Sequence, residues 1–429
     1  MENSIDFQLQ KYLKRNTLRD VVDSDEQYER ICELVKITKE DGMESIRVID
    51  QDEENGLILL HYVKFIPSVY HVRGIIIDLE SERIICQSFP FTEEIPLENL
   101  KSENWLNVIY DITSGRPLEN MIFSKAYEGT ILRLFYHERS DKWHLSTHKK
   151  LDGRDSRWSG PTFGEVFDQF FTSYESLTES LNKQYCYIFL LSHPENRLVC
   201  KIDRPKLTFL TCEQFNDNDK SFNFMNIENT ETMICGGLVV KNIFEPLLNE
   251  SKSFFYQSYF RLNNINKVIS VTSELNWEEY TGLLLTRTDE KGRLITYKIV
   301  KDDYLNKKSL RGCEPNFRLR YLQMRQEGKS VEFKELFPEK VELFTSIDNE
   351  VNNDLPAHLK RLYFERYTLK KFIRLPREDH YVINKVFKDY ISGKSILDNI
   401  KVVLSSCNGR QLNALLKHMK SRSEFQRIL

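Results

Sequence analysis

The sequence predicts an α+β fold: antiparallel sheets with flanking helices over residues 1–303, followed by a basic α-helical domain over residues 304–429. Three observations carry this expectation. Short runs of alternating apolar residues, separated by polar turns, recur through most of the chain. After about residue 303 the apolar spacing lengthens to the period of a helix. Charge is also segregated: residues 357–429 hold 16 Lys and Arg against 6 Asp and Glu, while the 429-residue chain carries a net charge of -3. The body is therefore acidic and the tail basic, so a polyanion would be gripped mainly by the tail.

Taken in order, residues 26–38 read as a helix and 45–50 as an alternating strand. The runs 74–78 and 83–88 flank the polar turn 79–82, a hairpin pattern. A second hairpin joins 130–136 to 142–147. The period then changes over 162–181, where Phe163, Val166, Phe167, Phe170, Phe171 and Tyr174 mark one face of a single helix. Strands are predicted again at 185–191, 197–202, 207–212, 282–286 and 294–300. In the tail, 317–326, 356–374, 380–391 and 408–421 read as helices rich in Lys and Arg.

Composition excludes several classes. A hydrophobic fraction of 40% suffices for a buried core. The eight cysteines are scattered with no Cys-x-x-Cys pair, which argues against a zinc ribbon or a disulfide framework. No set of metal-ligating residues is expected. The N-terminus Met-Glu-Asn-Ser-Ile-Asp lacks a basic patch followed by an apolar segment. No apolar stretch approaches the roughly 20 residues of a membrane span. The expected protein is soluble, intracellular and cytoplasmic, without membrane contact.

Two lysines are candidates for covalent catalysis. A lysine amine can attack the α-phosphate of a nucleoside triphosphate and hold the nucleotide as a phosphoramidate. Its signature is Lys-x-Asp/Glu-Gly, where the acid contacts the ribose and the glycine lets the backbone approach. Lys150-Leu-Asp152-Gly153 matches literally, but polar residues and then a helix follow it. Lys125-Ala126-Tyr127-Glu128-Gly129 is better placed, directly before the strand from Thr130, yet Ala126 stands in the lysine position. Because strand side chains alternate, Lys125 reaches the same pocket only through a bulge.

A set of segments follows in order: Arg73-Gly74-Ile-Ile-Ile-Asp78, Ser88-Phe-Pro-Phe-Thr92, Tyr127-Glu128-Gly129-Thr130 and Ser146-Thr-His-Lys-Lys150. Then come Tyr185 to Val199 with its Pro-Glu-Asn-Arg ending, Tyr280-Thr281-Gly282 and Tyr297-Lys298-Ile-Val300-Lys301. Over about residues 60–304 this order of segments resembles the phage-type RNA ligase 1 family of covalent nucleotidyltransferases. The chain is most similar to degenerate RNA-ligase-like proteins of large DNA viruses, which suggests a viral factory or virion as well as the cytoplasm. The resemblance implies a nucleotidyltransferase fold with Arg73, Glu128, Gly129, Lys298 and Lys301 around a nucleotide. It also implies losses: the nucleophile falls on Ala126, and two acids fall on Leu190 and Thr281. Without carboxylates to hold a divalent ion, the metal-assisted step has no support. The expected protein is a pseudoenzyme that binds RNA, nucleotide or a protein partner. The alternative is an active ATP-dependent RNA ligase using ATP and Mg2+ through Lys125 or Lys150. In the tail, Lys360, Arg361, Arg366, Lys370, Lys371 and Arg374 interleave with aromatics, a pattern suited to RNA backbone contact.

Overall fold

The computed structural model describes residues 15–38, 42–157, 160–214, 234–235, 238–249, 253–314, 316–389 and 394–428. The chain divides into two compact units, Met1–Leu305 and Asn306–Leu429. The architecture is α+β, as the sequence predicts.

The first unit is built on three sheets. Strands β1 (Ile46–Asp52), β2 (Leu57–Tyr62), β3 (Arg73–Asp78) and β4 (Arg83–Cys86) form an antiparallel sheet in that order. Helix α1 (Asp25–Leu34) starts at Ser24, whose hydroxyl accepts from the Gln27 N–H at 3.1 Å. It packs Ile31 and Cys32 against Ile58, Leu60, Ile75 and Ile77. The opposite face of the same sheet, with Leu57, Leu59, Ile76 and Cys86, packs on Ile188, Leu190 and Phe135. Burial on both faces explains why β2 and β3 read as unbroken apolar runs rather than alternating ones.

Strand β5 (Thr92–Pro96) leads into helices α2 (Leu97–Lys101) and α3 (Trp105–Thr113), then β6 (Ile122–Ala126). Strands β7 (Thr130–His137), β8 (Lys142–Ser146), β9 (Tyr185–Ser192) and β10 (Lys206–Gln214) build the second sheet. One short pair follows, β11 (Ile234–Cys235) with β12 (Leu238–Val239), and then β13 (Ser253–Tyr256), which joins β10 in parallel. The second sheet runs β13-β10-β9-β7-β8. The third comprises β14 (Tyr259–Phe260), β6, β15 (Gly282–Thr288), β16 (Leu294–Val300) and β5, with only the β16–β5 edge parallel among the described residues.

Helices α4 (Phe163–Asp168), α5 (Tyr174–Ser180) and α6 (Val240–Phe244) cover the second sheet, and α7 (Ile265–Glu274) covers the third. The predicted single helix over 162–181 is two. Ser173 caps the second by accepting from the Ser176 N–H at 3.0 Å, and the Thr172 N–H is drawn away to the Leu247 carbonyl at 2.9 Å. The predicted strand over 197–202 is not a strand either; its N–H groups have another partner, described below.

The second unit is helical. Helix α8 (Asp302–Arg311) spans the boundary, and α9 (Phe317–Gln326), α10 (Ser330–Leu336), α11 (Val341–Asn349), α12 (Leu355–Tyr363), α13 (Arg377–Lys388), α14 (Ile396–Ser405) and α15 (Gly409–Ile428) follow. Its buried side chains include Tyr321, Phe333, Phe344, Leu359, Leu362, Val382, Ile383 and Leu415. Phe344 stacks on Tyr321 at 4.5 Å between ring centroids. The predicted helix over 356–374 stops early. After α12 comes a π-helical turn, Phe364–Thr368, then Lys370 in the left-handed region at φ 52°. Pro376 disfavours helical geometry at the residue before it, and α13 starts only at Arg377. The end of the predicted helix over 380–391 lies outside the described residues. Among the described residues, no helix is long and apolar enough to cross a membrane.

Candidate functional site

Strand β6 pairs with β15 in regular antiparallel register, Lys125 opposite Leu283 and Ala126 opposite Gly282. No bulge interrupts this pairing, so Lys125 and Ala126 point to opposite faces. Phe123, in phase with Lys125, is buried in the core under α2 and α7. The Lys125 ammonium lies 4.7 Å from the centroid of the Tyr280 ring. Ala126, 5% exposed, brings only a methyl group to the other face.

Glu128 follows and is itself buried. Its carboxylate accepts three consecutive backbone N–H groups: Leu198, Val199 at 2.9 Å and Cys200 at 3.1 Å. These are the donors that a strand over 197–202 would have used, which is why that segment wraps around a carboxylate instead of entering a ladder. Gly129 is required by close approach, since a Cβ there would sit 2.7 Å from the Leu191 carbonyl oxygen. Beside Glu128 lie Cys200, Tyr304 and Lys298. Burial, and then the nearby Glu128, push the Cys200 thiol up; burial and the same carboxylate push the Tyr304 hydroxyl up. Both therefore stay protonated. The Lys298 ammonium is 2.6 Å from a Glu94 carboxylate oxygen and 5.9 Å from the Tyr304 ring centroid.

A second group of cations gathers where β3 meets the end of β8. Arg73 donates to the Pro90 carbonyl at 3.1 Å. Arg133, fully buried, donates to the Gly74 carbonyl and to the Thr147 carbonyl at 2.5 Å, which leaves its Nε without a partner. His148 shares a hydrogen bond with Ser88 at 3.1 Å, and a Cβ on Gly74 (φ 74°) would fall 2.8 Å from the His148 backbone. Burial, then the positive charges of Arg73, Lys149 and Arg133, pushes His61 down to about 3. Burial, then Arg73 and Arg133, pushes His148 well down too. Each imidazole is thus neutral near pH 7. Burial pushes the Glu213 carboxyl, next to Arg133, well above the usual carboxylate range. Arg73, Arg133 and Lys149 thus bring several positive charges into one neighbourhood.

The remaining candidates are placed elsewhere. Lys301 donates to the carbonyls of Ser273 at 2.9 Å and Leu275 at 3.1 Å, at the C-terminal end of α7. Lys150 lies 3.6 Å from Asp50 on an exposed hairpin end, where Asp50 also accepts from the Leu151 N–H at 2.8 Å. In the second unit, Lys360, Arg361, Lys370, Lys371 and Arg374 are exposed, while Arg366 is half-buried and donates to the Ile373 carbonyl at 3.4 Å. Thus Glu128 and Lys298 share the neighbours Cys200 and Tyr304, Arg73 joins a separate cationic group, and Lys125, Lys150 and Lys301 join neither.

Sequence reasoning missed Arg133, His61, Glu94 and Tyr304. Arg133 left a signal: it falls in phase with Ile131 and Phe135, a charge in the apolar phase of a strand. The others depend on long-range pairing and left none.

The residues do not fit a divalent metal. Glu128 is saturated by N–H donors, Glu94 is paired with Lys298, and the two positions where the resemblance places further acids are the buried Leu190 and Thr281. Among the described residues, no group of three or more His, Cys, Asp or Glu could hold a metal ion.

No protein-family model matches the chain. It is 25% identical over 382 residues to an immediate-early protein ICP-46 homolog of Invertebrate iridescent virus 3, covering 83% of this chain and 75% of that protein. It is 24% identical over 234 residues to immediate-early protein ICP-46 of Frog virus 3 (isolate Goorha), covering 50% of this chain and 53% of that one. Among solved structures, a putative ATP-dependent DNA ligase from Aquifex aeolicus superposes with a TM-score of 0.35 at 12% identity, over 88% of this chain and 97% of that one. An archaeal ATP-dependent RNA ligase superposes with a TM-score of 0.39 at 10% identity, over 75% of this chain and 78% of that one. Superpositions this loose do not by themselves identify a function.

Proposed function

We propose that the Met1–Leu305 unit is a catalytically degenerate RNA-ligase-like nucleotidyltransferase that holds the phosphates of a nucleotide or an RNA end without bonding to them covalently. The register of β6 carries this reading. The residue that faces inward ahead of Tyr127-Glu128-Gly129 is Ala126, and the neighbouring Lys125 is turned to the Tyr280 side of the sheet. A lysine nucleophile needs its amine within reach of the α-phosphate. A methyl group supplies no such atom.

What remains suits binding. Arg73, Arg133 and Lys149 bring positive charge to His61 and His148, and of the three Arg73 is part-exposed and Lys149 exposed. A phosphate would complete charge-assisted hydrogen bonds there. Lys298 and Glu128 would keep their structural pairings. By its likeness to the two ICP-46 proteins we place the chain in a viral setting.

The test is incubation of the full chain with α-labelled ATP or GTP and magnesium or manganese, followed by denaturation. No label should survive, while equilibrium dialysis at low salt should detect ATP, GTP or 5′-phosphorylated RNA, bound more weakly by R73A. Label that survives denaturation and is lost in K125A or K150A would establish the active alternative. Absence of any phosphate-ligand affinity at low salt would overturn the binding reading.

A further inference from the structure

We propose that the segment 364–376 of the helical unit, with the adjoining face of α13, is a docking surface for single-stranded nucleic acid. The segment is held in place along its length. The Leu369 N–H donates to the Phe364 carbonyl at 2.9 Å and the Lys371 N–H to the Glu365 carbonyl at 3.0 Å. Arg366 donates to the Ile373 carbonyl at 3.4 Å, and Arg422 of α15 donates to the Arg374 carbonyl at 2.6 Å. Lys370, between these ties, adopts the left-handed conformation that side-chain-bearing residues avoid. Yet the ring at the centre of this strap points outward: Phe372 is 100% exposed.

Two more exposed rings belong to the same stretch of chain. Phe364 is 48% exposed, and Phe387 is 53% exposed while it stacks on Tyr367 at 4.3 Å with an interplanar angle of 7°. That leaves the outer face of Phe387 to solvent. Exposed Lys360, Arg361, Lys370, Lys371, Arg374 and Lys388 interleave with these rings along the chain. Over 360–388 there are 9 Lys and Arg against 3 Asp and Glu, and one of those acids, Asp379, is fully buried.

Charge complementarity selects a polyanion, and the rings select its form. An unpaired base offers a flat face to stack on an aromatic ring, while its phosphates reach the interleaved cations. A duplex shows phosphates and edges but keeps its base faces stacked inside. A strap already pinned in shape also loses little freedom on binding. A lipid surface fits less well, because Arg366, Lys370, Lys371 and Arg374 break the apolar residues of 364–376 into short runs. This inference rests on the second unit alone and stands or falls separately from the phosphate site of the first.

The test is fluorescence anisotropy of the full chain with labelled, unstructured RNA and DNA strands of about 12 nucleotides, within the site size of sequence-tolerant binders. Duplexes of the same sequence and phosphatidylserine vesicles serve as competitors. Single strands should bind more tightly than duplex. F372A, which removes a ring outside every core, should weaken single-strand binding about 5- to 100-fold with an unchanged salt slope. The pair K370E and K371E should flatten the salt slope instead. Equal affinity for duplex, an F372A protein that binds as wild type does, or vesicle binding that outcompetes the strands and is lost in F372A would each overturn the proposal.

Discussion

Replacing Glu128 should reveal a folding role. Its carboxylate satisfies the N–H groups of Leu198, Val199 and Cys200, all at a site 6% exposed or less for Glu128, Val199 and Cys200. Glu128→Ala leaves those donors without their acceptor. An unsatisfied buried donor costs about 1–3 kcal/mol, and the N–H groups of Val199 and Cys200 are buried while Leu198 is 37% exposed, so stability should fall by about 2–6 kcal/mol. Glu128→Gln keeps one acceptor oxygen but turns an amide N–H toward a donor, and should lose about 1.5–3 kcal/mol. The assay is urea unfolding followed by tryptophan fluorescence. All four tryptophans, Trp105, Trp143, Trp158 and Trp277, fall before residue 305, so the signal reports the unit that contains Glu128. The ordering wild type, Gln, Ala in decreasing midpoint is the expected outcome. A Glu128→Ala protein within about 0.5 kcal/mol of wild type, the scatter of neutral surface changes, would refute the reasoning.

Two further outcomes follow from the same geometry. His61 is pushed from 6.5 down to about 3, so the unfolded chain takes up a proton before the folded one does. Its contribution to stability is complete above about 6.5 and declines as pH falls toward about 3; His61→Gln should flatten that acid decline in urea midpoints measured between neutral pH and about 4, and an unchanged decline would count against it. Lys301→Met removes the donor to Ser273 and Leu275 and should cost about 0.5–1.5 kcal/mol, with faster amide exchange over α7 and no change in ATP affinity.

The sequence made two local hairpins legible, although β2, which pairs just as locally with β1, was not read as a strand. The hairpins 74–88 and 130–147 have turns of a few residues, and their alternation or apolar run is unambiguous. The segment 197–202 misled because Arg-Leu-Val-Cys-Lys-Ile carries a strand pattern, whereas its N–H groups pair with a carboxylate some 70 residues earlier. Helix 356–374 misled for a related reason: its apolar spacing continues past Tyr363, but Pro376 and the left-handed Lys370 end the helix. Of the candidate site, the alanine at position 126 ahead of Tyr127-Glu128-Gly129 was readable outright. The fate of Lys301 was not, because only packing decides whether a cation faces a pocket or the end of a helix.

The grip on Glu128 also changes what a motif remnant means. Three successive amides converging on one point make a backbone hollow that attracts negative charge. Here the chain fills that hollow with its own side chain. An acid at this position is therefore held by the needs of the scaffold, independently of any reaction. A related sequence that keeps Tyr-Glu-Gly but lacks a preceding lysine gives no sign of residual activity by doing so, and grafting a lysine onto position 126 would meet a carboxylate already engaged.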